Sequence, residues 1–87
     1  MDASSPTGIP AIAERIVAVR EALNLNQTDL AKAARIATNT LNQWEKAKGR
    51  PSVNEAFKFC AVTNVTLDYI YRGNKAGIPF DLASKLP

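Results

Sequence analysis

The stretch from Gln27 to Glu45, QTDLAKAARIATNTLNQWE, constrains the fold of this chain more than any other feature. Leu30, Ala31 and Ala34 give a first segment an apolar face at helical spacing, and Leu41 and Trp44 repeat that spacing on a second. Ile36 falls in the short connection between them. Two amphipathic helices joined this closely have to pack at an angle, and Ala31 is small where their backbones would cross. Between the apolar positions of the second segment stand Thr38, Asn39, Asn42 and Gln43. These are uncharged hydrogen-bonders rather than the Glu and Lys of an ordinary solvated helix. Their side chains suit the donor and acceptor edges of bases in a major groove. The competing reading is a polar exposed face of no consequence.

Charge placement favours the first reading. The chain of 87 residues carries a net charge of +3. Lys32, Arg35, Lys46, Lys48, Arg50 and Lys58 gather in its centre against Glu45 and Glu55 only, and the remainder is slightly acidic. A basic centre is what phosphate neutralisation requires, since each neutralised phosphate releases counterions and adds affinity. Length fits one small domain. No run approaches the ~20 apolar residues of a membrane span, and no basic-then-apolar segment of secretory type opens the chain. One cysteine and no histidine leave no internal disulfide and no metal-spaced ligand set, so no cofactor is expected and a cytoplasmic location is.

Punctuation along the chain divides it into helices. Residues 1–8 (MDASSPTG) are small and polar and read as a mobile arm. Helix 1 is predicted from near Pro10, a residue tolerated in the first turn, with Ile12, Ile16, Val19 and Leu23 inward and Glu14, Arg15, Arg20 and Glu21 outside. Asn26 is a good N-cap for helix 2 at Gln27 to Ala34, and helix 3 is predicted from about Thr38 to Lys46. The segment AKGRP (47–51) is a breaker. Ser52 and Glu55 form a capping box that opens helix 4, predicted to bury Val53, Ala56, Phe57 and Cys60, with Phe59 a further candidate. Asn64 reads as its left-handed stop. Thr66 caps a short helix 5 that Gly73 ends. The tail, residues 74–87, carries Ile78, Phe80, Leu82 and Leu86, enough apolar material for a short helix packed on the domain or on another copy. Strand signals are absent, and an all-α bundle is expected. Trp44, at helical spacing from Leu41, is expected in the core rather than as a base-stacking platform.

From about Ala11 to Gly73 the chain resembles the Cro/repressor-type (XRE-like) helix-turn-helix regulators. The likeness rests on Leu25-Asn26-Gln27, the hydrophobic framework above, the pair Trp44-Glu45 and a basic loop ending in Pro51-Ser52. It continues through Val65 to Asp68, and the ending Tyr69 to Asn74 with Gly77-Ile78-Pro79 resembles a bacterial and phage branch. The resemblance implies a compact five-helix repressor-like domain over residues 9–73, with the helix-turn-helix at helices 2 and 3 and a short C-terminal helical tail.

By position, the resemblance places Thr38, Asn39, Asn42 and Gln43 where the recognition helix meets bases. Asparagine and glutamine can bond adenine in bidentate fashion and the threonine methyl can meet that of thymine, so A·T pairs should dominate. Gln27 corresponds to a phosphate contact that also braces helix 3. Lys46, Lys48 and Arg50 lie where the chain follows the backbone, and Asn54 with the start of helix 4 adds an anion contact. The chain departs from the family pattern at two points. Arg35 stands where a glycine with positive φ is usual, and Ala37 replaces the Ser or Thr cap of helix 3, although Thr38 could cap one residue later.

Two classes of function follow. The first is a sequence-specific regulator, a repressor by expectation, that binds double-stranded DNA at a palindromic operator as a homodimer. Tyr71, Ile78, Phe80 and Leu82 are then candidates for the self-association surface, unless they only cap the monomer's own core. The second is a protein-binding antiactivator or adaptor that uses the scaffold without reading DNA, with a regulatory protein as partner. An enzyme is disfavoured: there is no histidine and no nucleophile beside a base, and no small-molecule substrate is evident.

Overall fold

Chemistry at the helix ends explains most element boundaries in the computed structural model, which describes residues 5–87. Six helices follow in order: α1 (Ile9–Ala22), α2 (Gln27–Ala34), α3 (Thr38–Glu45), α4 (Val53–Thr63), α5 (Leu67–Arg72) and α6 (Phe80–Ala83), with no strand among the described residues. Pro10 sits in the first turn of α1. The side chains of Asn26, Ser52 and Thr66 each accept a backbone N–H three residues on, at Asp29, Glu55 and Tyr69. Such caps satisfy orphan donors of the first turn and are each worth about 1 kcal/mol. Asn64 (φ 64°) and Gly73 (φ 81°) end α4 and α5 in the left-handed conformation. None of the helices is long and apolar enough to cross a membrane.

The core gathers Ile12, Ile16 and Val19 of α1, Leu30 and Ala31 of α2, and Leu41 and Trp44 of α3 around Phe59, Tyr69 and Ile70. Trp44 meets Phe59 edge to face, with centroids 6.0 Å apart and planes at 74°. This places α3 against α1 and α2, with its opposite face outward. The tail folds back on the same domain. Ile78 and Leu86 are buried in this core and Leu82 packs on it, whereas Phe80 stays 83% exposed.

The inner face of α4 differs from the sequence expectation. Ala56, Phe59 and Thr63 are buried, Cys60 is partly covered, and Val53 and Phe57 are exposed. Phe57 and Phe59 lie about 200° apart around a helix and cannot both face inward. Packing against Trp44 selects Phe59, and Val53 turns outward with Phe57. The Thr63 hydroxyl joins the inner face because it donates to the Phe59 carbonyl at 2.8 Å.

Arginine 15, expected outside, is instead buried, with its guanidinium donating to the Ile70 carbonyl at 3.0 Å and to the Pro6 carbonyl. It therefore sits at the C-terminal end of α5, where a cation meets the helix dipole favourably. A Cβ on Gly73 would come within 2.9 Å of this guanidinium, so the glycine serves close approach as well as its positive φ. Of the expected arm 1–8, residues 1–4 lie outside the described residues. Residues 5–8 form a turn closed by Gly8 N–H to the Ser5 carbonyl at 2.9 Å, and Arg50 donates to the Thr7 carbonyl.

Candidate nucleic-acid interface

Helix α3 has weak local signals. Ala37 stands at its N-cap and offers no side-chain acceptor, and Thr38 is already helical and does not cap. The first turn holds no acid and the last turn no base, the nearest complementary charge being Lys46 at the C-cap. Left-handed residues flank it on both sides, Arg35 (φ 59°) and Ala47 (φ 57°). Arg35 thus keeps the turn in the conformation usual for glycine rather than reshaping it. Each such non-glycine residue costs about 1 kcal/mol. In the breaker that follows α3, Ala47 takes the left-handed position and Gly49 does not. Complete burial of Leu41 alone is worth about 1.5–3 kcal/mol, enough to offset one of these losses.

A polar brace supplies the rest. Arg20 grips Glu45 with two parallel bonds, Nε to Oε2 at 2.7 Å and Nη2 to Oε1 at 3.0 Å. Its remaining Nη1 donates to the Leu25 carbonyl at 3.0 Å, reaching the connection between α1 and α2. Gln27, first residue of α2, donates from Nε2 to Glu45 Oε1 at 3.0 Å and, more weakly, to Asn42 Oδ1 at 3.4 Å. The Glu45 side chain is only 7% exposed and that of Arg20 20%. The carboxylate hydrogen-bonded to Arg20 raises the guanidinium pKa above its ordinary value, against the opposing effect of burial. Bidentate geometry of this kind fixes orientation as well as adding energy. The brace therefore ties α1 and the start of α2 to the last turn of α3.

With α3 so held, its outer face presents Thr38 and Asn39 exposed, and Asn42 and Gln43 half-buried. Gln43 reaches the outer face without the tie to Gln27 that Asn42 has. Lys46 and Lys48 follow directly and are exposed, and Arg50 closes the loop with its tie to Thr7. Asn54 is exposed in the first turn of α4. Lys32 and Arg35 are exposed on the neighbouring end of α2. The result is an uncharged hydrogen-bonding ridge with cations on either side.

Local pattern puts Arg20 among the outward residues of helix 1 and marks Glu45 as half of a motif and as an acid within the basic centre. Nothing in their local patterns joins two charges 25 residues apart. Of the four self-association candidates, Phe80 is on the surface. Ile78 lies in the core, Leu82 is half-covered, and the Tyr71 hydroxyl donates to the Pro51 carbonyl at 2.8 Å. Trp44 is in the core, as its spacing implied. Cys60 is partly covered, and burial pushes its thiol pKa up to about 11, the setting of an inert packing residue.

A family model described as Helix-turn-helix matches residues 16–70, from within α1 to within α5. No curated protein and no solved structure matches the chain.

Proposed function

The chain belongs to the Cro/repressor-type (XRE-like) helix-turn-helix family of DNA-binding regulators, and on that premise we propose a dimeric repressor of a palindromic operator. The observation that carries this reading is the outer face of α3, uncharged, rigidly braced from behind and continued by a basic loop. In this proposal α3 lies in the major groove, with Thr38, Asn39, Asn42 and Gln43 against base edges. Directly read pairs are mainly A·T, since no arginine or lysine stands at these positions to take guanine O6 and N7. Gln27, Lys46, Lys48, Arg50 and Asn54 meet phosphates, which set register and affinity without sequence information.

One α3 reads only a few base pairs, so a second copy supplies specificity, with half-sites about 34–36 Å apart along the duplex. Among the tail candidates Phe80 best suits the self-association surface. The exposed Val53 and Phe57 of α4 extend the proposal, because large apolar side chains left in water favour a partner.

The test is in-vitro selection of random duplex DNA at fixed salt, run on wild type and Gln43→Ala in parallel. Wild type should enrich a two-fold symmetric, A·T-rich motif. The variant should lose about tenfold in affinity and relax at one position of each half-site, in line with about 1–3 kcal/mol per base contact. Salt-sensitive binding without a motif, unchanged by the substitution, would overturn the reading and favour a protein-binding adaptor.

A further inference from the structure

We propose that the outward face of α1 is a docking groove for a basic amphipathic helix of a partner protein. An open groove of about 400 Å³ runs between α1 and the segment that follows α3. Its floor is made of small or short apolar side chains, Ala13, Val17 and Ala18 on one side and Ala47 on the other. Short side chains let a second helix approach closely. Glu14 and Glu21 stand exposed along the α1 wall, two helical turns apart, about 10 Å along the axis.

Charge complementarity identifies the occupant. Among the described residues neither exposed carboxylate of α1 is in an ion pair, although Glu21 acts on the Arg20 charge at longer range, while the third acid in the lining, Glu45, is bound to Arg20. Among the described residues of the lining Lys46 is the one cation and stands at the α3 end, so the occupant's basic residues belong toward α1. A helix with apolar anchors at positions i, i+3/i+4 and i+7 and Lys or Arg beside them fits this wall. The groove is open rather than enclosed and its lining follows α1 from Pro10 to Glu21, which favours a helix over a small cationic ligand. Glu14 and Glu21 lie outside the DNA-contacting set proposed above, whereas Lys46 at the α3 end of the lining belongs to it, so the test is placed on the two carboxylates.

Nitrogen-15-labelled full chain is titrated with a leucine/lysine helical peptide of about three turns, and with its leucine/glutamate counterpart. The lysine peptide should shift the amides of Ala13, Glu14, Val17, Ala18 and Ala47 saturably. In the charge-reversed variant Glu14→Lys with Glu21→Lys, that binding should fall at least about tenfold and the glutamate peptide should bind instead. Both substitutions are at exposed positions, and circular dichroism checks the fold. The milder pair Glu14→Gln with Glu21→Gln should weaken the lysine peptide without recruiting the glutamate one. Equal binding of both peptides, shifts centred on Val53 and Phe57 or on α3, or no saturation by about 1 mM would overturn the proposal. So would saturation of the groove by a simple alkylammonium salt with none by the peptide. Selection of operator DNA by the charge-reversed variant, run alongside, reports on the DNA reading separately.

Discussion

Helices α3 and α4 are neighbours in sequence and are held by opposite means. α4 carries its own instructions: a Ser52 cap accepting from Glu55 N–H, an acid in its first turn and a left-handed asparagine at its end. α3 has an alanine at the cap, no acid in its first turn and a strained non-glycine residue on each side. What holds α3 is tertiary: Leu41 and Trp44 in the core, and Glu45 in the grip of Arg20 and Gln27. The difference has a functional consequence. A helix defined from behind keeps its whole outer face, including its first turn, free for a ligand. A helix defined by its own caps uses those polar groups on itself.

The brace offers the largest way to break this contrast. Arg20→Ala leaves a carboxylate buried without its guanidinium and should cost about 3 kcal/mol in urea unfolding. Amide exchange should rise first in α3 and only later in α4. A loss below about 1 kcal/mol, or equal loosening of both helices, would mean that apolar packing alone positions α3. Cap exchange is the next step down. Ser52→Ala should cost about 1 kcal/mol, whereas Ala37→Ser, which installs the missing acceptor, should add about 0.5–1 kcal/mol of stability. If the serine at position 37 were neutral, the first-turn donors of α3 would already be satisfied by solvent.

A third comparison separates the two helices by pH. Burial holds the Cys60 proton on α4 to about 11, above the ordinary value of 9.0. Burial likewise raises Tyr71, and raises Tyr69 despite the nearby Arg15 charge. For an acid whose folded pKa is raised, the stabilising contribution is complete below the unfolded value and fades as pH climbs through the folded one. Stability should therefore decline from about pH 9 to 11, with the α4–α5 side loosening before the brace, in which Arg20 stays charged. Urea midpoints taken across that range on wild type and Cys60→Ser check this, and the serine variant should show the shallower decline. Identical profiles would remove the thiol from the account.

Legibility in the sequence follows the same division. Caps and stops at Asn26, Ser52, Asn64, Thr66 and Gly73 act over three or four residues, so all of them could be read directly and all are found in place. The apolar frame of α1 to α3 was readable because periodicity reports a buried face. Where two candidate faces competed, local pattern could not choose. Val53 and Phe57 looked as apolar as Phe59, and only the ring of Trp44 decides among them. Arg15 looked like surface because charge usually is, until the end of α5 and the turn at Pro6 surround it with carbonyls. For the proposed recognition face, the residue types at Thr38, Asn39, Asn42 and Gln43 were legible, but the brace behind them was not.

By itself, then, the sequence determined the number and type of elements, the position of the helix pair and the chemistry of its outer face. Those properties depend on spacing and on interactions within a turn or two of the chain. Tertiary structure alone decided which face of α4 is inward, that Ile78 and Leu86 close the domain's own core, and that Arg20 meets Glu45. Each of these joins residues far apart in the chain, and such contacts are selected only when the whole core has to be filled and every buried charge has to find a partner.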